Sequence, residues 1–142
     1  MHIRTCLAKE CGTMFELVRA NKLYCSEACR TKARAARPSG IRKKYAKSAR
    51  ERGIDFDLTR EWIESNFLTD VCTVSGIELY YGPDEWHPRK ATIDRIDSSK
   101  GYTMDNCRVV CLAVNTALST WGLDEFLPIA RGIAQKHPGE AP

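Results

Sequence analysis

The chain has 142 residues, 43% of them hydrophobic and 28% charged, with a formal net charge of +4. That balance excludes an intrinsically disordered chain, and no apolar run reaches the ~18 residues of a membrane-spanning helix. The length fits one small domain accompanied by a smaller, metal-held module, and Met1 to Cys6 lack the apolar stretch of a secretory signal, so a cytoplasmic protein is expected.

In a reducing compartment, the seven cysteines read as metal ligands and free thiols rather than disulfides. Four of them lie in residues 1–37, at the spacing Cys6-x4-Cys11-x13-Cys25-x3-Cys29. Zinc takes four thiolates in a tetrahedron, and two close-spaced pairs supply them, one from a turn and one from the start of a helix. Ser26 is the candidate N-cap of that helix. The first pair has four intervening residues where two are commoner. Tyr24-Cys25-Ser26-Glu27-Ala28-Cys29-Arg30 resembles the second half of small treble-clef and zinc-ribbon fingers, which implies one structural zinc ion.

Residues 38–55 read as a basic helical linker. Pro38-Ser39-Gly40 breaks any preceding helix, residues 41–52 favour a helix, and Gly53 is a plausible C-cap. Residues 30–52 hold ten Lys and Arg against the single acid Glu51, a local charge of +9 beside a remainder of −5. A one-signed block of this kind is the electrostatic footprint of nucleic-acid binding; a solvated helical face is the competing reading. Arg30, Arg34, Arg37, Arg42, Lys43, Lys44, Lys47 and Arg50 are the candidate phosphate contacts, and double-stranded DNA is the expected partner.

Residues 56–136 form the main unit. Thr59, with Glu61 in the first turn, opens a helix that runs to about Phe67 and carries Trp62, Ile63 and Phe67 on its apolar face. Residues 70–90 read as loop and short strand. Ala91 to Asp97 alternates as a strand, residues 98–106 are a polar connection, and Arg108 to Leu112 is a second strand. Helices are expected over 113–119 and 124–135, the latter with Phe126, Leu127, Ile129, Ala130 and Ile133 as apolar surface. Residues 137–142 form a loose tail.

This order of elements sets a carboxylate, Asp94, on one strand and an amide, Asn115, in the helix after the next strand. The two can meet at one edge. Carboxylate and amide oxygens suit a hard divalent cation that keeps most of its waters, such as magnesium or manganese. Phosphodiester hydrolysis needs such an ion to neutralise phosphate charge. Cys72, Cys107 and Cys111 make no second zinc set, because Ser75 and Asn115 stand where further ligands would be.

Taken together, Thr92-Ile93-Asp94-Arg95-Ile96-Asp97, Gly101-Tyr102, Asn106-Cys107, Val110 and Asn115 resemble the HNH-like (His-Me finger, ββα-metal) nucleases, in particular their phage-type members. The resemblance runs from about Phe56 to Phe126 and takes in Phe56 to Thr59 and Cys72 to Gly76. It implies an α+β fold, a small ββα-metal core with flanking helices, and a DNA endonuclease using one divalent ion. In that resemblance Asp94 and Asn115 match the metal ligands, and Asn106 matches an Asn that braces the hairpin loop. Arg95 stands where the family's general-base His normally lies. A guanidinium stays protonated near neutral pH, so Arg95 can grip the scissile phosphate but cannot take a proton from water. His87 is the candidate base with a suitable ordinary pKa, Asp97 and Tyr102 are near in sequence, and activation of water without a protein base is the alternative.

Three readings follow: a metal-dependent DNA endonuclease; a non-catalytic nucleic-acid-binding protein that keeps the fold; and a zinc-stabilised RNA-binding or assembly factor. Only Tyr45 interleaves the basic run with an aromatic ring, which places the third reading last.

Overall fold

A computed structural model describes residues 3–8, 11–17, 23–35, 37–67, 69, 71–82 and 84–139. The side chains of residues 32, 34 and 35 lie outside that description, so Arg34 is placed as backbone only. Residues 140–142 of the expected tail also lie outside it.

The N-terminal module is a short antiparallel hairpin, β1 (Ile3–Thr5) and β2 (Met14–Glu16), followed by α1 (Glu27–Ala35). Ile3 pairs with Glu16 and Thr5 with Met14. Buried surface is scarce here: Cys6 and Ala8 are its only buried apolar residues among those described, while Ile3, Leu7 and Met14 are exposed. With so little core among its described residues, the module is of the kind that a bound metal would stabilise.

The break between α1 and α2 (Pro38–Arg52) falls at Arg37, whose backbone is extended. α1 ends before Pro38-Ser39-Gly40, as expected, but the helix expected over 41–52 starts earlier, with these three residues as the first turn of α2. Pro38 sits at a position where its missing N–H and fixed φ suit a helix start. Gly53 caps the other end in the left-handed conformation, its N–H bonded to the Ala49 and Arg50 carbonyls. α2 turns Ile41 and Ala49 into the core, with Tyr45 beside them.

Thr59 caps α3 (Arg60–Asn66), its side chain accepting from Trp62 N at 3.1 Å. Where loop and a short strand were expected over 70–90, the described residues contribute isolated bridges, Val71 to Glu78 and Tyr80 to Lys90, and no strand. Next come β3 (Ala91–Arg95) and β4 (Cys107–Cys111), antiparallel, with Ile93 opposite Val109 and Asp94 opposite Arg108. α4 (Leu112–Leu118) follows β4 directly. Its first turn has no side-chain cap; Leu112 N and Ala113 N instead donate to the Lys90 and Pro88 carbonyls at 2.8 and 2.9 Å. The loop before β3 therefore fixes the angle at which α4 leaves the hairpin. The result is the expected α+β arrangement, a ββα unit with helices around it.

The core packs Leu58 and Ile63 against Ile93, Val109 and Val110 of the hairpin. Segment 55–57 runs alongside the hairpin loop: Tyr102 N donates to Asp55 O at 2.8 Å and Asp57 N to Tyr102 O at 3.1 Å. Gly101 permits this approach, since a Cβ there would overlap the Asp55 carbonyl. In the last helix, α5 (Leu123–Lys136), no residue is buried, and of the expected apolar surface Leu127, Ile129 and Ile133 are exposed.

Candidate active site and cysteine cluster

Asp94 is 5% exposed although it lies on a strand whose neighbour Ile93 is also buried. Both faces of β3 are covered here, by the core on one side and by α4 on the other. Arg108, directly across the ladder, donates from Nε to Asp94 Oδ2 at 2.9 Å. That bond satisfies one carboxylate oxygen; Oδ1 has no partner among the described residues. Asn115, one turn into α4, donates from Nδ2 to Thr92 Oγ1 at 3.0 Å and to Ile93 O at 3.5 Å. Both bonds use the amide nitrogen, so the orientation is fixed and the amide oxygen is left to accept.

Asp94 and Asn115 line one cavity of about 180 Å³ together with Arg52, Arg95, Ser98, Tyr102 and Ser119. Its walls are almost wholly polar. Arg95 is held from two sides: Nη1 donates to Lys100 O at 2.7 Å, and the guanidinium lies 5.2 Å from the centre of the Tyr102 ring. Only one of its five N–H donors is used in this way. Tyr102 is positioned in turn by an edge contact with Tyr45 at 5.4 Å. Tyr45 reaches from α2 to accept from Ile93 N at 2.9 Å, and burial pushes its phenol pKa up. The basic helix is thereby locked to the strand that carries Asp94.

Asn106 is 5% exposed and closes the hairpin loop with three hydrogen bonds. Its Oδ1 accepts from Asp97 N at 2.9 Å, and Nδ2 donates to the Asp97 and Gly101 carbonyls, both at 3.0 Å. Asn106 does not line the cavity. Neither does His87, which stacks on Tyr80 at 3.9 Å and accepts from Arg89 N at its Nδ1, 3.1 Å away. Two residues were missed by sequence reasoning. Arg108 announces itself only once the strand register is known. Arg52 was counted in the basic run but not singled out; it lines the cavity because α2 turns back toward the hairpin at Gly53.

A carboxylate oxygen and an amide oxygen in a polar cavity are a fitting donor set for magnesium or manganese, which take few protein ligands and keep their waters. The cavity also holds the Arg52 and Arg95 guanidinium groups, which favour an anion beside the cation.

The expected phosphate contacts on and before α2 do not behave alike. Arg30 pairs with Glu27 at 2.7 Å. Arg42 donates to Leu58 O at 2.7 Å and lies 5.2 Å from the centre of the Phe56 ring, so it braces α3 as well as carrying charge. Lys44 and Lys47 make exposed ion pairs with Glu85 and Glu51, each at 3.6 Å, which hold them only weakly. Arg37, Lys43 and Arg50 are exposed and form no ion pair among the described residues. Helical spacing puts Lys43, Lys47 and Arg50 on one outward stripe.

In the N-terminal module the sulfurs of Cys6, Cys11, Cys25 and Cys29 all lie within 4.8 Å of one another. Cys11 to Cys25 is 3.6 Å, Cys25 to Cys29 is 3.5 Å, and Cys29 to Cys11 is 3.6 Å. Sulfurs at ~2.3 Å from a tetrahedral zinc are ~3.8 Å apart, so the cluster fits that ion. Ser26 Oγ accepts from Cys29 N at 3.2 Å, capping α1 as expected. Hydrogen bonds from Thr13 hold the Cys11 thiol down to about 6, while Cys29 and burial push Cys25 up to about 12. Among the described residues Cys72, Cys107 and Cys111 join no such cluster. They are core residues, and burial with the Asp94 charge nearby pushes Cys107 up to about 12.

No family model matches the chain. An uncharacterized protein of Acanthamoeba polyphaga mimivirus is 29% identical over 91 residues, which are 64% of this chain. That match covers 16% of the viral protein's length. Among solved structures, the chain is similar to the rare-cutting HNH restriction endonuclease PacI, with a TM-score of 0.52 and 18% identity over 93% of this chain and 94% of that one. The likeness establishes an HNH-type fold with a cysteine finger at its N-terminus. Among the described residues, no helix is long and apolar enough to cross a membrane.

Proposed function

We propose that the protein is a metal-dependent DNA endonuclease that hydrolyses phosphodiester bonds. The observation that carries this reading is the sharing of one polar cavity by Asp94, Asn115, Arg52 and Arg95 on a ββα scaffold. Asp94 Oδ1 and Asn115 Oδ1 would hold one magnesium or manganese ion. When bound, that ion supplies charge neutralisation at the scissile phosphate and its leaving oxygen.

The chain's own residues do the rest. Arg95, anchored by Lys100 O and the Tyr102 ring, offers its remaining N–H donors to a non-bridging phosphate oxygen and offsets charge that develops there. Arg52 adds a second cation on the side of α2. Arg108 orients the Asp94 carboxylate, and Asn106 keeps the loop that carries Ser98 and Tyr102 in place. Lys43, Lys47 and Arg50 hold the backbone of double-stranded DNA by charge. Cys6, Cys11, Cys25 and Cys29 would hold one structural zinc ion, which suits a reducing cytoplasm. A phage or mobile-element origin rests on the sequence resemblance alone.

One observation favours a second reading, a nucleic-acid-binding protein without catalysis: the lining of the cavity includes no side chain whose ordinary pKa lies near neutrality. Incubating the full chain with duplex DNA, single-stranded DNA and RNA, each with magnesium, manganese or neither, separates the two. The endonuclease reading requires duplex cleavage in a divalent ion. Salt-sensitive duplex binding with no cleavage in either ion supports the second reading instead.

A further inference from the structure

α5 is an amphipathic helix of 14 residues, and none of them is buried. It lies against α4 and half-buries Leu123, Phe126 and Ala130. Ile129 and Ile133, one helical turn apart, remain 58% and 56% exposed. Helical spacing sets these two isoleucines in a stripe that begins at Glu125, passes Gly132 and ends at Lys136. The intervals from Glu125 to Ile129, Gly132 and Lys136 are four, three and four residues, the spacing of a helix–helix seam.

We propose that this stripe is an interface between two copies of the chain, with the two α5 helices antiparallel about a two-fold axis. The order of residues along the stripe is self-complementary in that arrangement and not in a parallel one. Reversing one helix sets Glu125 opposite Lys136 of the partner subunit and Ile129 opposite Gly132 of the partner subunit, each contact occurring twice, as an isologous interface requires. Glu125 and Lys136 are exposed, and neither forms an ion pair among the described residues. Each charge also sits at the helix end that its sign favours, but that does not account for the exposed isoleucines between them. A Cβ at Gly132 would meet nothing within 4 Å, so the backbone there is open to a facing isoleucine.

A helix of this length spans about 21 Å and cannot by itself bury the roughly 800 Å² per partner of a standard interface. Further area must come from outside the stripe, and beyond the helix N-terminus Trp121 and Ile96 are 72% and 52% exposed.

Sedimentation velocity on the full chain over micromolar concentrations tests the proposal. Wild type is expected to reach twice the 16.0 kDa monomer mass. Glu125→Lys and Lys136→Glu each place like charges opposite one another and should weaken association by about tenfold or more. The double variant Glu125→Lys/Lys136→Glu should restore it, and Ile129→Glu should abolish it. All three substituted positions are exposed, and circular dichroism checks that helix content is kept. A wild type that stays monomeric throughout overturns the proposal. So does a dimer indifferent to Ile129→Glu, which uses another surface, or a double variant as weak as the single ones, which excludes the antiparallel register.

Discussion

Arg108 and Asp94 face each other across the β3–β4 ladder, and Arg108 Nε holds Asp94 Oδ2 at 2.9 Å with side chains 16% and 6% exposed. Removing one member of such a pair leaves the other charge poorly solvated. Full burial would make that worth 3–5 kcal/mol; the residual exposure of Arg108 reduces the expectation to about 2 kcal/mol. Asp94→Ala should therefore lower the melting temperature by several degrees, whereas Asp94→Asn, which retains an acceptor for Arg108, should lower it less. Thermal unfolding of the two variants checks this order. An unchanged melting temperature in Asp94→Ala would show that the pair does not contribute to stability.

Asn106 makes three hydrogen bonds from a buried position, all to the backbone of the loop it closes. Asn106→Ala leaves those backbone groups unsatisfied, at a cost on the order of 3 kcal/mol. Melting temperature and nicking should fall together. A variant with normal melting behaviour and no nicking would mean that Asn106 acts on the chemistry directly.

How much of this was legible in the sequence depends on whether a residue acts locally. Thr59, Ser26 and Gly53 each cap a helix within four residues of themselves, and each was read correctly. Cys6, Cys11, Cys25 and Cys29 carry their geometry in their spacing. Arg108 was not legible, because its role is set by a register between strands that a polar loop separates. Arg42 looked like one more cation in a basic run; its bond to Leu58 O comes from the packing of α2 on the chain before α3. The apolar residues of α5 were read as offering apolar surface, with no neighbour assigned to it. The periodicity was right, but periodicity cannot say which of two flanks finds a neighbour within the same chain.

The outward stripe of α2 predicts a salt effect. Each phosphate contact contributes about 0.9 to the slope of log affinity against log salt. Lys43→Ala/Lys47→Ala/Arg50→Ala should lower the slope for duplex DNA by about 2 to 3 and weaken all sequences alike. Arg42→Ala should instead lower the melting temperature, through the loss of its contacts with Leu58 and Phe56. Binding isotherms at several salt concentrations would contradict the assignment if the triple variant kept the wild-type slope.

Arg95 and His87 should separate by rate. Arg95→Ala removes a charge-stabilising donor from the cavity and should slow nicking by about a hundredfold or more. His87→Ala should slow it by less than about tenfold, below the usual contribution of a general base. Without a histidine base, activity should go on rising past about pH 8, beyond the ordinary titration of imidazole. A plateau near neutrality that vanishes in His87→Ala would make His87 the base.

The cysteine module should depend on its metal. Elemental analysis of protein purified without chelator should find one zinc per chain. Removing it should unfold the N-terminal hairpin and α1, seen as lost protection from hydrogen exchange in residues 3–35. A metal-free module with full protection would contradict the zinc assignment.

The central claim rests on Asp94 and is tested most directly by nicking of supercoiled plasmid by wild type and Asp94→Asn, each in magnesium and in excess chelator. Wild type should nick in magnesium and not in chelator. Asp94→Asn should nick in neither, while keeping its zinc and a cooperative unfolding transition. Nicking by Asp94→Asn at the wild-type rate, or by wild type in chelator, would contradict the account.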